Sequence, residues 1–194
     1  MIRSLRERLL APRAPAGYRP GVTLDHLSRN LGQAGIRLLE PAAGVIGGPA
    51  PGWSAEVRER VEAHLLMHVV TCEFQLCIAA RQQGELKLEM RHTGAIRRTG
   101  LACVHRSGDK ARFAQIREQL LNDAPLLAAL MPLDFKRLTL EWRDSRWYLT
   151  LEHMGGSEVV NRMPAFRRYI KISPEQRDHL LASLALFSEL LAQL

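Results

Sequence analysis

Two histidines four residues apart, His64 and His68, with Glu62 beside them, are the nearest approach of this chain to a metal-binding pattern. That spacing puts both imidazoles on one side of a helix or a strand. Zinc requires further ligands, and no H-E-x-x-H accompanies the pair. The reading is an ordinary pair of polar or packed histidines, with no bound metal and no cofactor expected. Cys72 and Cys77 are an odd offset apart, so on a strand they point to opposite faces and cannot jointly grip an ion. With Cys103 they make three cysteines without zinc spacing, read as reduced, mostly buried thiols of a cytoplasmic protein. A cysteine nucleophile with a distant histidine would define a hydrolase, and no local feature supports one.

The second constellation is basic. Arg91, Arg97, Arg98, Arg106, Lys110 and Arg112 fall around one expected strand and the start of the helix after it. Arg162, Arg167, Arg168 and Lys171 fall at the corresponding place later in the chain. Joined, the two groups would form a patch for the phosphates of nucleic acid or another polyanion. Phe166 and Tyr169 would then be placed to stack on bases. The preferred reading is plainer: charged, solvated edge strands that resist aggregation.

Composition narrows the classes. The 194 residues are 46% apolar with a net charge of +7, and the 27 basic residues divide into 23 Arg and 4 Lys. Charge of this kind speaks to solubility and non-specific binding rather than to fold. No apolar run reaches the roughly 18 residues of a spanning helix. There is no G-x-G-x-x-G after a strand and no G-K-[ST]. Residues 1–21 hold five Arg, one Glu and three Pro and read as a basic N-terminal arm. Residues 22–194 read as one domain.

The elements that must position these residues follow from periodicity. Ser173, Pro174 and Gln176 have the spacing of an N-cap, a first-turn proline and a capping box, and open a long C-terminal helix. Its apolar positions, 180 to 194, cover more than half its circumference. Leu184, Phe187, Leu191 and Leu194 are assigned to a sheet, and Leu186 and Leu190 to another helix or to a second copy in a homodimer. Thr23 is read as the cap of a helix over 24–35, residues 41–53 as a Gly/Pro connector, and Ser54 as the cap of a charged helix over 55–64. Alternation then predicts strands from Leu66 to Ile78, from Leu86 to Arg91 and near 96–104. Asp109 caps a helix that Asp123-Ala-Pro125 restarts. Leu138, Leu140 and Trp142 pair with Leu151, Leu149 and Trp147 across a two-residue turn at Asp144-Ser145. Gly155-Gly156 is read as a further turn, and 159–172 as extended chain interrupted at Met163-Pro164.

Residues 66–131 and 136–194 both run strand, strand, strand, helix. The fold class is therefore α+β: an antiparallel sheet built from two such units, backed by helices. The order helix, three strands, helix, strands, helix over 54–194 resembles that of type III secretion chaperones. The segment S-E-V-V-N-R-M-P-A-F-R-R-Y-I-K-I-S-P-E-Q-R, Ser157–Arg177, is similar to the C-terminal part of an uncharacterised bacterial protein family. The second resemblance implies a bacterial origin and nothing about mechanism. The preferred function is a non-enzymatic intracellular binding or adaptor protein of chaperone-like type with a protein partner. Polyanion binding is the alternative and hydrolysis the third reading.

Overall fold

The computed structural model describes residues 14–47, 52–94 and 97–194. Most of the basic arm, residues 1–13, lies outside them. The first element is helix α1, Val22–Leu31, followed by a single 3-10 turn at Gly32–Ala34. Strands β1 (Arg37–Glu40), β2 (Ala43–Gly47), β3 (Ser54–Ala63), β4 (Met67–Ala79), β5 (Leu86–Thr93) and β6 (Gly100–Gly108) come next. Helices α2 (Lys110–Asn122) and α3 (Ala124–Leu130) precede β7 (Phe135–Arg143), β8 (Arg146–Arg162), β9 (Ala165–Ile170) and helix α4 (Pro174–Gln193).

The nine strands form one sheet in the order β1-β2-β3-β4-β8-β7-β5-β6, with β9 also on β8 and every pairing antiparallel. One face carries the core. Val57, Cys72, Phe74, Leu76, Leu88, Met90, Leu138, Leu140, Trp147 and Leu149 lie on it, and the helices cover it. α1 packs on β8, β4 and β3; α2 on β6 and β5; α4 on β4, β8 and α3. The other face keeps the alternate, charged positions, as expected of an antiparallel sheet with one wet side.

The three-strand halves are present as an order of elements, but they interleave in space. β8 and β7 lie between β4 and β5, so the first half is split, while β7, β8 and β9 of the second stay neighbours within the shared sheet. β8 is the axis of this arrangement. It pairs with β4 along nearly its whole length on one edge, while its other edge pairs first with β7 and then with β9. Gly155-Gly156 is therefore not a turn. Val70 faces Glu158 and Cys72 faces His153, so Thr71 alone spans residues 154–157 in a wide bulge. Gly156 sits there at φ 83, and a Cβ on it would lie 2.8 Å from Leu27 Cδ1. The long β4 partner carries the strand through what local composition reads as a stop.

Local signals succeed where the caps are local. Ser173 Oγ accepts from Gln176 N, Asp109 Oδ1 from Ala111 N and Arg112 N, and Asp123 Oδ1 from Leu126 N. Asp144 and Ser145 adopt φ 52 and 55, the double left-handed turn of a tight hairpin. Trp142 pairs with Trp147, their rings stacked at 5.3 Å.

Four expectations are corrected. The helix expected over 55–64 is instead strand through Ala63: Ala55 and Val57 are buried, and the charged positions beside them belong to a strand hydrogen-bonded on both edges. With that helix gone, the element order that resembles type III secretion chaperones loses its first member. The connector 41–53 contains β2. The third strand begins at Gly100, because Thr99 N donates to Thr93 O and closes a longer loop. Thr23 is inside α1, not its cap. The N-cap is Gly21, and its cap comes from a distant strand: Glu59 accepts from Gly21 N at 2.9 Å, Leu24 N at 2.8 Å and the Tyr18 hydroxyl at 2.7 Å.

Candidate functional site

Two turns meet at one end of the sheet. The first joins β3 to β4 through residues 64–66 and is closed by His64 N donating to Met67 O at 2.8 Å. The second joins β8 to β9 through Met163 and Pro164, with Arg162 paired to Ala165 and a cis peptide before the proline. Arg162 N donates to Leu66 O at 2.8 Å and ties the turns together. Their large apolar side chains face water: Leu65 is 89% exposed, Met163 73%, Leu66 50% and Phe166 48%. Residues 63–72 and 159–174 contain no Asp or Glu, while the second stretch carries Arg162, Arg167, Arg168 and Lys171. The tip is thus apolar at its end and basic behind it.

The tip stands on a polar region under α1 and the end of the arm. His68 is buried on the core face, level with Val160, and neither ring nitrogen has a hydrogen-bond partner. Burial, then the Arg167 guanidinium, holds its pKa below the usual imidazole range, with Glu158 acting the other way. Arg167 donates to the buried Glu158 at 2.7 Å and to Gly17 O, which fastens the arm to the sheet. Tyr18 is held by Glu59; burial and then that carboxylate push its phenol up. Tyr169 stacks on His26 at 4.7 Å.

His64 and His68 therefore do not converge: one is exposed in the turn and the other is buried. Among the described residues there is no group of three or more His, Cys, Asp or Glu able to hold a metal ion. Cys72 and Cys77 lie on opposite faces, the first buried and the second exposed. Burial pushes the Cys72 thiol up and that of Cys103 up to about 11, so both stay protonated at neutral pH.

Four of the ten basic candidates are engaged within the fold. Arg98 donates to Pro132 O at 3.1 Å and Leu133 O at 3.2 Å and pairs with Asp134 at 2.7 Å. Arg106 donates through Nε to Glu89 at 2.8 Å. Arg112 reaches Leu194 O at 3.1 Å and lies over the Trp142 ring. Arg167 holds Glu158. Arg91, Arg97, Lys110, Arg162, Arg168 and Lys171 are exposed. Arg98 of the first group and Lys171 of the second line one cleft of about 430 Å³ beside the start of α4. There Gln176 departs from the capping box: its Oε1 accepts from Asp134 N and faces His153 Nε2, and its Nε2 donates to Pro132 O.

The wet face of the sheet holds a larger hollow, about 530 Å³, bordered by alternating charges such as Arg60, Glu73, Lys136 and Arg137. Beneath them Glu152 is fully buried, accepting from Thr71 Oγ1 at 2.6 Å and Lys136 Nζ at 3.3 Å. Lys136 also donates to Glu62, which holds that carboxyl below its usual range. This network is internally neutralised and braces β3, β4, β7 and β8.

On α4, Leu184, Phe187, Leu191 and Leu194 are buried as expected, and Leu181, Leu186 and Leu190 pack partly covered against the core. No helix among the described residues is long and apolar enough to cross a membrane.

Fold and tip together define an α+β protein whose single antiparallel sheet is backed by helices on one face and ends in an exposed apolar–basic tip. The chain belongs to the family described as Protein of unknown function (DUF3156), whose model matches residues 29–191. No curated protein and no solved structure matches.

Proposed function

We propose that this is a non-enzymatic intracellular binding protein of adaptor type that docks its partner through the two-turn tip. The observation that carries the reading is the exposure of Leu65, Leu66 and Met163 on two turns held together by a backbone hydrogen bond, with Phe166 exposed beside them at the start of β9. The same fold encloses Trp147, Phe74 and Phe187 completely, so it does not want for means of hiding large side chains. Clustered apolar exposure rimmed by polar groups marks an interaction surface. The polyanion alternative draws support from Arg162 and Arg168, which stand exposed just behind the tip.

The test is a fourfold variant, Leu65→Ser, Leu66→Ser, Met163→Ser and Phe166→Ser. Exposed substitutions of this kind change stability by less than about 0.5 kcal/mol each. In extracts of expressing cells the wild-type protein sediments with a larger assembly, and the variant, equally stable to urea, sediments as the free chain. Identical sedimentation of the two would overturn the reading.

A further inference from the structure

The tip has a shape and a charge distribution that select among partners. Its apolar groups project from turns rather than line a groove, with Leu65 and Met163 the most exposed. A globular partner buries on the order of 800 Å² per side in a standard interface, and two short turns supply a fraction of that. Nucleic acid would give Phe166 a base to stack on and leave Leu65, Leu66 and Met163 in water. A lipid headgroup layer accepts all four, because apolar side chains reach past the phosphates into the acyl boundary while cations stay at phosphate level. Arg162 adjoins the turn and Arg168 lies on β9 opposite Val159, both exposed. No carboxylate in either stretch opposes an anionic surface.

We propose that the tip is a peripheral anchor for anionic phospholipid surfaces: Leu65, Leu66, Met163 and Phe166 insert among the headgroups, and Arg162 and Arg168 hold the phosphates. The proposal rests on the docking reading above and names its partner. Each arginine near an anionic surface favours binding by about fivefold, so the pair gives a preference on the order of 20-fold over neutral lipid. Loss of the four apolar groups weakens binding by about 100-fold or more.

Sedimentation with sucrose-loaded vesicles tests this, using phosphatidylcholine alone and a mixture of phosphatidylcholine with about three-tenths phosphatidylglycerol. The wild-type protein binds the mixed vesicles on the order of 20-fold more tightly at about 0.1 M salt, and the preference shrinks at high salt. The fourfold serine variant loses binding, and Arg162→Ser with Arg168→Ser loses the preference for phosphatidylglycerol. Equal binding to both vesicles, or unchanged binding of the serine variant, would overturn the anchor. So would tip-dependent binding of a single-stranded oligonucleotide with no vesicle binding. If vesicles are not bound but the serine variant still loses its assembly in extracts, the lipid assignment fails and the docking reading stands. If that assembly also survives in the variant, both fail.

Discussion

Removing the Glu59 carboxylate should loosen α1 and the end of the arm while leaving the sheet folded. Glu59 stands on β3 and accepts three hydrogen bonds, from Gly21 N, Leu24 N and the Tyr18 hydroxyl. Hydrogen bonds to a charged group contribute about 1.5–3 kcal/mol each, and loss of a helix cap typically costs about 1 kcal/mol. The three are not additive, because the freed N–H groups at the start of α1 can turn to water. Leu24, Leu27 and Leu31 also stay packed on the core without the cap. Glu59→Ala is therefore expected to cost about 2–4 kcal/mol of unfolding free energy in urea. Glu59→Gln keeps one acceptor oxygen and should cost about half as much, and Tyr18→Phe, which removes one bond, about 1 kcal/mol. Amide exchange should show the loss concentrated in residues 22–31. A Glu59→Ala protein within about 0.5 kcal/mol of wild type, with unchanged protection across α1, would refute the claim that a carboxylate from the sheet caps this helix.

Three further outcomes are expected. Trp142→Ala and Trp147→Ala should each cost about 3–5 kcal/mol in urea unfolding, since both indoles fill the core face of one hairpin; full stability of either would break that pairing. Burial holds His68 and His92 below the usual imidazole range, so in mildly acidic solution the unfolded chain carries protons that the folded chain lacks. Stability should then be complete above about pH 6.5 and decline as pH falls, with the urea midpoint lower at pH 5.5 than at 7.5 and the difference reduced in His68→Gln. A midpoint that holds or rises on acidification would contradict it. Glu152→Ala strips a buried carboxylate from Lys136 and Thr71 and should cost about 3 kcal/mol; a variant as stable as wild type would show that the network braces nothing.

The features readable from residues alone were those whose causes lie close in the chain. Ser173, Asp109 and Asp123 each cap a helix with a donor two or three residues on, and Asp144-Ser145 sets the register of the Trp142–Trp147 hairpin by itself. The failures have distant causes. Glu59 caps a helix more than thirty residues away, so Thr23 was the only cap in view. The charges of 55–63 suit a solvated helix until β2 and β4 are known to flank them. Gly155-Gly156 looks like a turn until β4 is seen to pair on either side of it. The tip escapes a local reading for the same reason: Leu66 reads as the start of a strand, and Met163-Pro164 as an interruption. The local signal was bulky apolar residues within turns, in stretches without a single acid. Only the meeting of β3–β4 with β8–β9 gives that signal a meaning.

The docking surface can be read directly by photo-crosslinking in cells. A photoreactive residue placed at Leu65 or at Met163 should capture a partner, while the same group at Glu118, exposed on the helix α2 that packs on β6 and β5, should not. Lipid adducts from positions 65 and 163 are the result the account predicts. Adducts of equal yield from position 118, or none from the tip, would contradict it.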